Sequence, residues 1–597
     1  MINAQASKPE RAARGRESAR PIRRLMQGSF LPYILTVAAG GICYGLFCNR
    51  GIWLSVIGYS VSPAERVMQG EVPYKDFLYN YTPGILWINA GLMWIFGPTL
   101  LTVSAGLAAF KLGTLVALYH ASRKLCGAWV GLLAVALALA WIGWKYIFGV
   151  FPTQYSMLFV LAGLACMVRF DESEKLRWLV LSGASVGAVL AIKYNIGVLL
   201  GLSGGAAIII RELALKDGSP GALRTLAKAF GRAAWFWLGI VLVVSAMFAY
   251  LAARGGLVPM LDHFIHFAGE YSEKRSVRLP SWRLVMPSAL AILLIAGGAW
   301  MVLRWFERFY PAFIAAACAV VLAVLFIPAR AEILKSSALA SVAYLPVTLF
   351  LVASAFCLFQ LRGKIGAKES RRRWWHDNGA IIIVTMFAAG AYLEVFPRAD
   401  YYHLVRTLPP VFLLLVLLVK RLYPHLLESL ESVSARPRRA ATLTLALPFV
   451  LLAATGFQNT WRPHFTSGFR MIDRSPVAVG RARGIRVPPK QASIIESFAS
   501  LIESNSAAGD EIFSFSQRGT AFYFLSERRN PTRFVWWRNV GISREDRDSV
   551  LNIIEEKRPK LILLQDGLKD QRIHDSVDAN YSRVGAVTDI GVYDRRE

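Results

Sequence analysis

Charge is scarce in this chain. Only 18% of its residues are charged and 55% are hydrophobic, and a mean hydropathy of +0.42 is too high for a molecule that keeps its whole surface in water. A soluble enzyme is excluded, and so is disorder over the apolar body. Cysteine is scarce too: six in 597 residues, all in or beside apolar segments and none in a CxxC pair, so neither a zinc site nor a disulfide framework follows. The polar tail after Gly456 has none and must hold its fold by packing. Acidic residues number 39 against 67 Lys and Arg, a net charge of +28. On a soluble chain that excess would point to nucleic acid. Here the basic residues collect at the ends of apolar runs, as in cytoplasmic loops of membrane proteins, and no nucleic-acid signature is present. The partner implied is the lipid bilayer, not nucleic acid.

The first apolar run, Ser29 to Cys48, follows Lys8, Arg11, Arg14, Arg16, Arg20, Arg23 and Arg24, which should hold a basic N-terminal segment, 1–28, in the cytoplasm. Cleavage as a signal peptide is rejected because no small-x-small site follows cleanly. Further runs begin near Leu100, Ala128, Tyr155, Trp178, Ile196, Ala233, Met286, Phe309, Ser341, Gly379, His403 and Ala441. Gly84 to Gly97 is short for a span. If it lies on the membrane surface, the cytoplasmic loops hold 30 Lys and Arg and the outer loops 14; if it crosses, the numbers become 18 and 26 and the usual bias is reversed. An interfacial helix is therefore predicted, leaving about thirteen spans and a tail on the side opposite the N-terminus. Against this, Trp461 to Lys490 carries Arg462, Arg470, Arg474, Arg481, Arg483, Arg486 and Lys490 and a single Asp473. Long terminal domains cross regardless of charge, and the earlier loops agree with one another.

The expected fold is an all-α polytopic membrane body over 29–457, with a first outer loop at 49–99, a basic linker at 458–490 and an extracytoplasmic α/β domain at 491–597. In that domain Gln491 to Ser506 and Ser543 to Lys557 read as helices. Glu511 to Phe515, Arg533 to Trp537 and Lys560 to Leu564 read as strands, with Tyr581 to Val587 and Gly591 to Tyr593 completing a small parallel sheet. No Gly-rich phosphate loop precedes either helix.

The first outer loop offers Glu65, Glu71, Lys75, Asp76 and the tyrosines Tyr59, Tyr74, Tyr79 and Tyr81. A carboxylate beside a lysine can take a proton from a hydroxyl while the ammonium neutralises a phosphate; by spacing alone these are ordinary loop charges. PRADYYHL, Pro397 to Leu404, supplies Arg398, whose fork suits a phosphate, and Asp400 with His403 as an acid-base or metal pair. An interface-anchoring Arg with belt tyrosines explains the same run. Asp262, His266 and Glu270 would share a helix face, but such ligand types are common on wet surfaces. Lys111 and Lys193 sit where charge is costly, and Lys193, at the outer face, is the better phosphate ligand. The tail run Phe522 to Phe534 mixes aromatics with arginines, as a sugar or lipid-phosphate surface would. A buried strand with a capped turn at Asn530-Pro531 explains it equally.

GEVPYKDFLYNYTPG, Gly70 to Gly84, followed by a short helix ending Ile95-Phe96-Gly97, resembles the first loop of GT-C membrane glycosyltransferases, closest to the group of protein O-mannosyltransferases and aminoarabinose transferases. The resemblance extends over most of the chain. It implies a polyprenyl-phosphate-linked sugar donor, a lipid, glycan or protein acceptor, and inverting transfer at the outer face of the cytoplasmic (inner) membrane. On that footing Asp76 is the base or orients the acceptor, Glu65 and Asp400 are further catalytic carboxylates, and Lys75, Lys193, Arg398, His403 and Tyr79 bind phosphate or substrate. The family pattern places an Asp after the first span, where this chain has Gly58-Tyr59-Ser60. It places another acid before the fourth span, where Thr153, Gln154 and Tyr155 stand. A divalent metal on carboxylates is therefore left open. Two rivals remain: a lipid-linked glycan transporter or flippase, which would need a polar route through the bilayer, and a noncatalytic membrane assembly protein whose tail binds a partner.

Overall fold

The computed structural model describes residues 30–142, 149–215, 222–279, 332–361, 368–431, 437–460, 474–537 and 544–596. The apolar runs expected from Met286 and Phe309, the basic N-terminal residues and the 461–473 stretch lie outside the described residues. Long apolar runs without interior Gly/Pro clusters form helices, and six of those described have the length and composition to cross a membrane: Leu100–Cys126, Pro152–Ser173, Tyr194–Ala214, Leu223–Ala253, Val342–Leu361 and Tyr401–Glu428. Shorter apolar helices occupy Leu31–Gly45, Gly84–Phe96, Ala128–Ile142 and Arg177–Ile192. The molecule is thus a multi-pass helical membrane protein with a C-terminal α/β region.

Two polar layers cap the bundle. At one end Arg211, buried at the close of the Tyr194–Ala214 helix, donates to Asp171 (2.7 Å), Glu174 (2.9 Å) and Glu212 (2.6 Å). Arg232 reaches the same Glu212 and Glu174. At the other end stand Thr153, which begins the Pro152–Ser173 helix, and Lys193, which joins two helices. Helices of 22 and 21 residues connect the layers, about 30 Å at 1.5 Å per residue, the thickness of a hydrocarbon core. Between the layers small residues bring helices close: a Cβ at Gly183 would collide with the Phe236 carbonyl, and one at Gly239 with the Val180 carbonyl.

The tail helix Pro489–Asn505 buries Ala492, Ile495, Phe498, Ala499 and Ile502, the stripe its sequence spacing predicts. Strands β1 (Ser475–Pro476) and β2 (Arg486–Val487) form a small antiparallel ladder. The main sheet has order β3-β4-β6-β5, with β3 (Ile512–Ser514) parallel to β4 (Leu561–Gln565). The pairs with β6 (Ile590–Arg595), from β4 and from β5 (Tyr581–Val587), are antiparallel. The sheet is therefore mixed rather than parallel, because β5 and β6 are joined by a tight turn and can only pair as a hairpin. Arg533 to Trp537 is not a strand: among the described residues its one ladder contact is a bridge from Phe534 to Leu78, while Phe534 and Trp537 pack inward. Phe522 lies in a short helix, Ala521–Leu525, and the capped turn at Asn530 is present, with Asn530 Oδ1 accepting from the Thr532 amide at 3.0 Å.

The tail is not an appendage. One apolar cluster joins Val61, Phe77, Leu86 and Leu107 of the membrane body to Ile495, Phe498 and Phe522 of the tail. Arg481, from the basic linker, reaches the buried Glu65 carboxylate and also pairs with Glu527 at 3.4 Å. Part of that linker's positive charge is therefore matched within the molecule.

Candidate active site

The first loop is wedged against the bundle at Gly84. A Cβ there would lie 2.5 Å from the Ala191 carbonyl oxygen, so only glycine lets the loop approach the last turn of the Arg177–Ile192 helix. The Thr82 hydroxyl donates to the Leu190 carbonyl at 2.7 Å. These contacts set the Tyr81 ring 5.5 Å from the Lys193 ammonium.

Lys193 is 4% exposed, with extended backbone (φ −150°, ψ 100°) between two helices. Its Nζ donates to Glu394 Oε2 at 2.6 Å and to Thr153 Oγ1 at 2.9 Å. Glu394, 3% exposed, also accepts from Asn195 Nδ2 at 3.3 Å and from the Thr153 hydroxyl at 3.4 Å. A buried ion survives only when paired and hydrogen-bonded, and this one is both. Sequence reasoning ranked Lys193 but missed Glu394 as its partner. The signal was available, since a costly buried lysine demands a carboxylate and Glu394 ends an apolar run.

Downstream of Glu394, Asp400 caps the short Tyr401–Leu404 helix by accepting from the His403 amide at 3.1 Å. Its carboxylate also accepts from His403 Nδ1 at 2.8 Å and from Arg398 Nε at 2.7 Å. Burial pushes the Asp400 carboxyl up, but the hydrogen bonds from His403 and the charges of His403 and Arg398 outweigh it and hold it well below the ordinary range. Arg398 and His403 are thus brought together by Asp400. The segment is tied by paired backbone bonds to Val277, just past the Leu257–Arg275 helix.

That helix closes the third side. His263 bonds Asn80 of the first loop at 3.1 Å, and Phe264 packs on Tyr74 (5.7 Å) and on Tyr194 (4.7 Å), next to Lys193. Burial, then the charge of Arg533, pushes the His263 imidazole down to about 4. Asp262 and His266 do share an exposed face, 3.4 Å apart, whereas the Glu270 side chain lies outside the described residues. Among the described residues no three His, Cys, Asp or Glu side chains gather as metal ligands.

The remaining candidates are distributed along the first loop. Asp76 is half-buried, its Oδ2 accepting the Val72 amide at 2.7 Å, while Lys75 is exposed. Tyr79 is fully buried, stacked on Tyr59 at 5.2 Å and beside Tyr81 at 6.1 Å. Glu65 faces away, into its pair with Arg481; burial raises its carboxyl and the Arg481 charge opposes that. Where the family pattern has an Asp after the first span, a side chain on Gly58 would collide with Thr520 of the tail. At the second such position Thr153 stands, and the carboxylate beside it comes from Glu394, just past the end of the Lys368–Leu393 helix.

Residues 80–213 match the family described as dolichyl-phosphate-mannose-protein mannosyltransferase. Among solved structures, ArnT from Cupriavidus metallidurans bound to undecaprenyl phosphate is 15% identical over 94% of this chain and 97% of that chain, with a TM-score of 0.48. The oligosaccharyltransferase of Archaeoglobus fulgidus, in complex with Zn and sulfate, is 8% identical over 94% of this chain and 73% of that chain, with a TM-score of 0.46. No curated protein matches by sequence. The matched segment holds Tyr81, Thr82, Thr153 and Lys193, and with it the resemblance to the GT-C membrane glycosyltransferases of the protein O-mannosyltransferase and aminoarabinose transferase group is borne out.

Proposed function

We propose that the chain transfers a sugar from a polyprenyl-phosphate donor to an acceptor hydroxyl or similar nucleophile at the outer face of the inner membrane. The observation that carries this reading is the convergence of the first loop and the Glu394–His403 segment on Lys193, at one end of the bundle. In the step proposed, the acceptor oxygen attacks the anomeric carbon, the bond from that carbon to the phosphate oxygen breaks, and the configuration inverts. The acceptor proton passes to Asp76, and the departing phosphate takes its charge partners from Lys75 and Arg398, with Asp400 and His403 holding the Arg398 fork. Lys193 and Glu394 fix the floor of the site.

On this reading 29–457 is the transmembrane body of about thirteen spans, 458–490 the linker and 491–597 an extracytoplasmic domain, with 1–28 cytoplasmic. The opposite polar layer supports the sidedness: Arg123, Lys124, Arg169, Arg177 and Arg211 collect there, as positive charge does on the cytoplasmic side. Asp76→Asn is the test. It should abolish sugar transfer in proteoliposomes, at least about 100-fold, while leaving expression and donor binding near normal. Unchanged transfer removes Asp76 from the mechanism.

A further inference from the structure

A large cleft among the described residues lies outside the Lys193 site. Its volume is about 700 Å³, and it opens where β3 and β4 end. Those strands are adjacent and parallel, and their carboxyl ends lead into Phe515, Gln517 and Arg518 and into Gln565–Lys569, which line the cleft. In open α/β sheets the crevice outside the carboxyl ends of parallel strands is where ligands bind, because the connecting loops diverge there. The volume falls within the range of small-ligand sites, about 300 to 1,000 Å³. The opposite wall is Ile52–Ser55, the chain leaving the first apolar helix.

We infer that this cleft binds the saccharide portion of the acceptor, stacked on Trp53 and hydrogen-bonded by Gln491, Gln517 and Gln565. Amides carry both donors and acceptors, matching vicinal hydroxyls, and an indole face takes the C–H face of a pyranose. Trp53 is 39% exposed yet fixed, with edge contacts to Phe151 at 5.5 Å and Tyr402 at 6.2 Å. Gln491 donates to the Ile52 carbonyl at 2.9 Å and Gln565 to Asp589 at 3.0 Å, so two of the amides are held in place. Asp589 also pairs with Arg518 on the rim. Such a lining, more polar than apolar, suits neither a prenyl chain nor an apolar peptide. Tyr402, whose ring meets Trp53, lies between Asp400 and His403 in sequence, so the cleft adjoins the segment that carries them. On the proposed reading an acceptor glycan lying on Trp53 abuts this segment. The inference rests on the proposed transferase reading and names its acceptor class.

The experiment is titration of the full-length chain in lipid nanodiscs with maltotetraose, chitotetraose and trigalacturonate, followed by tryptophan fluorescence and calorimetry. Saturable binding of at least one of them is expected at millimolar concentration or below. Trp53→Ala and Gln565→Ala, on separate elements, should each weaken it about tenfold or more, and Asp76→Asn should leave it within about twofold. Thermal unfolding of each variant confirms that the fold is kept. No saturation with any of the three, or binding unchanged in both variants, overturns the inference. Loss of transfer in Asp76→Asn with binding intact supports both readings. Binding without transfer from any polyprenyl-phosphate sugar sinks the transferase reading and leaves the cleft as a saccharide site.

Discussion

The Lys193–Glu394 pair joins residues 201 positions apart, both almost fully buried, at 2.6 Å. At an effective dielectric of about 20 the gross attraction at that distance is about 6 kcal/mol. Desolvation of the two ions consumes most of it, so the pair as a unit adds little net stability. Removing one partner is a different matter, because the other charge is left behind in an apolar setting, at a cost of about 3 to 5 kcal/mol. For Glu394→Gln the Thr153 hydroxyl still accepts from Lys193, placing the expected loss near the lower end. For Lys193→Met the stranded carboxylate keeps Asn195 and Thr153 as donors. The double variant Lys193→Met/Glu394→Met removes both charges, and its destabilisation should fall short of the sum by about 2 kcal/mol or more. Reversible unfolding in mixed micelles measures all three. If either single variant costs under about 0.5 kcal/mol, or the effects add, the pair is not the buried ionic contact described. The double variant should regain the fold but not sugar transfer, since the proposed site needs the cationic floor.

Three further outcomes follow from the same geometry. Because the Asp400 carboxyl is held low in the folded chain, its stabilisation is complete above the unfolded value of about 3.9 and drains away as pH falls below it. The unfolding midpoint of the wild type should drop between about pH 4 and pH 2, and Asp400→Asn should flatten that limb. The His263 imidazole, pushed down to about 4, is neutral when folded, so its contribution is full above about 6.5 and lost as pH falls towards 4. His263→Gln can keep a bond to Asn80, and its stability should slope less across that window. Gly84→Ala places a methyl 2.5 Å from the Ala191 carbonyl oxygen, a backbone atom that cannot rotate away. About 1 to 3 kcal/mol of destabilisation is expected, with transfer lost because Tyr81 and Thr82 move off Lys193; full transfer at normal stability would show that the wedge at Gly84 does not position the loop.

Much of the fold was legible because its signals are local. Apolar runs starting at Leu100, Ala128, Tyr155, Trp178 and Ile196 are helices close to the expected bounds, and the tail helix and strands at 489–505, 512–514 and 561–565 fall where amphipathic spacing put them. What failed depended on partners. Arg533 to Trp537 has the β-branched and aromatic composition of a strand, but among the described residues no neighbour beyond Leu78 offers it a ladder. The mixed sheet was readable and missed: Tyr581–Val587 and Ile590–Arg595 are separated by Thr588 and Asp589 alone, a hairpin spacing. The Lys193–Glu394 contact has no local signature, only the energetic demand that a buried lysine makes.

The tail's docking bears on which carboxylate does the chemistry. Thr520 packs against Gly58, and Arg481 takes Glu65, so the region after the first apolar helix, where the family pattern places an acid, is filled by tail contacts. Glu394, Asp400 and Asp76 are then each constrained differently. Glu394 neutralises Lys193 and is 3% exposed, too deep to meet an acceptor. Asp400 caps a helix and holds both Arg398 and His403, which keeps it ionised but a poor proton acceptor, because its low pKa leaves little driving force. Asp76 spends one oxygen on the Val72 amide and is half-buried beside the exposed Lys75. A carboxylate has a second oxygen to offer, and an anchored one holds its direction. On the proposed transferase reading the base falls to Asp76, because Glu394 and Asp400 are committed to holding cations.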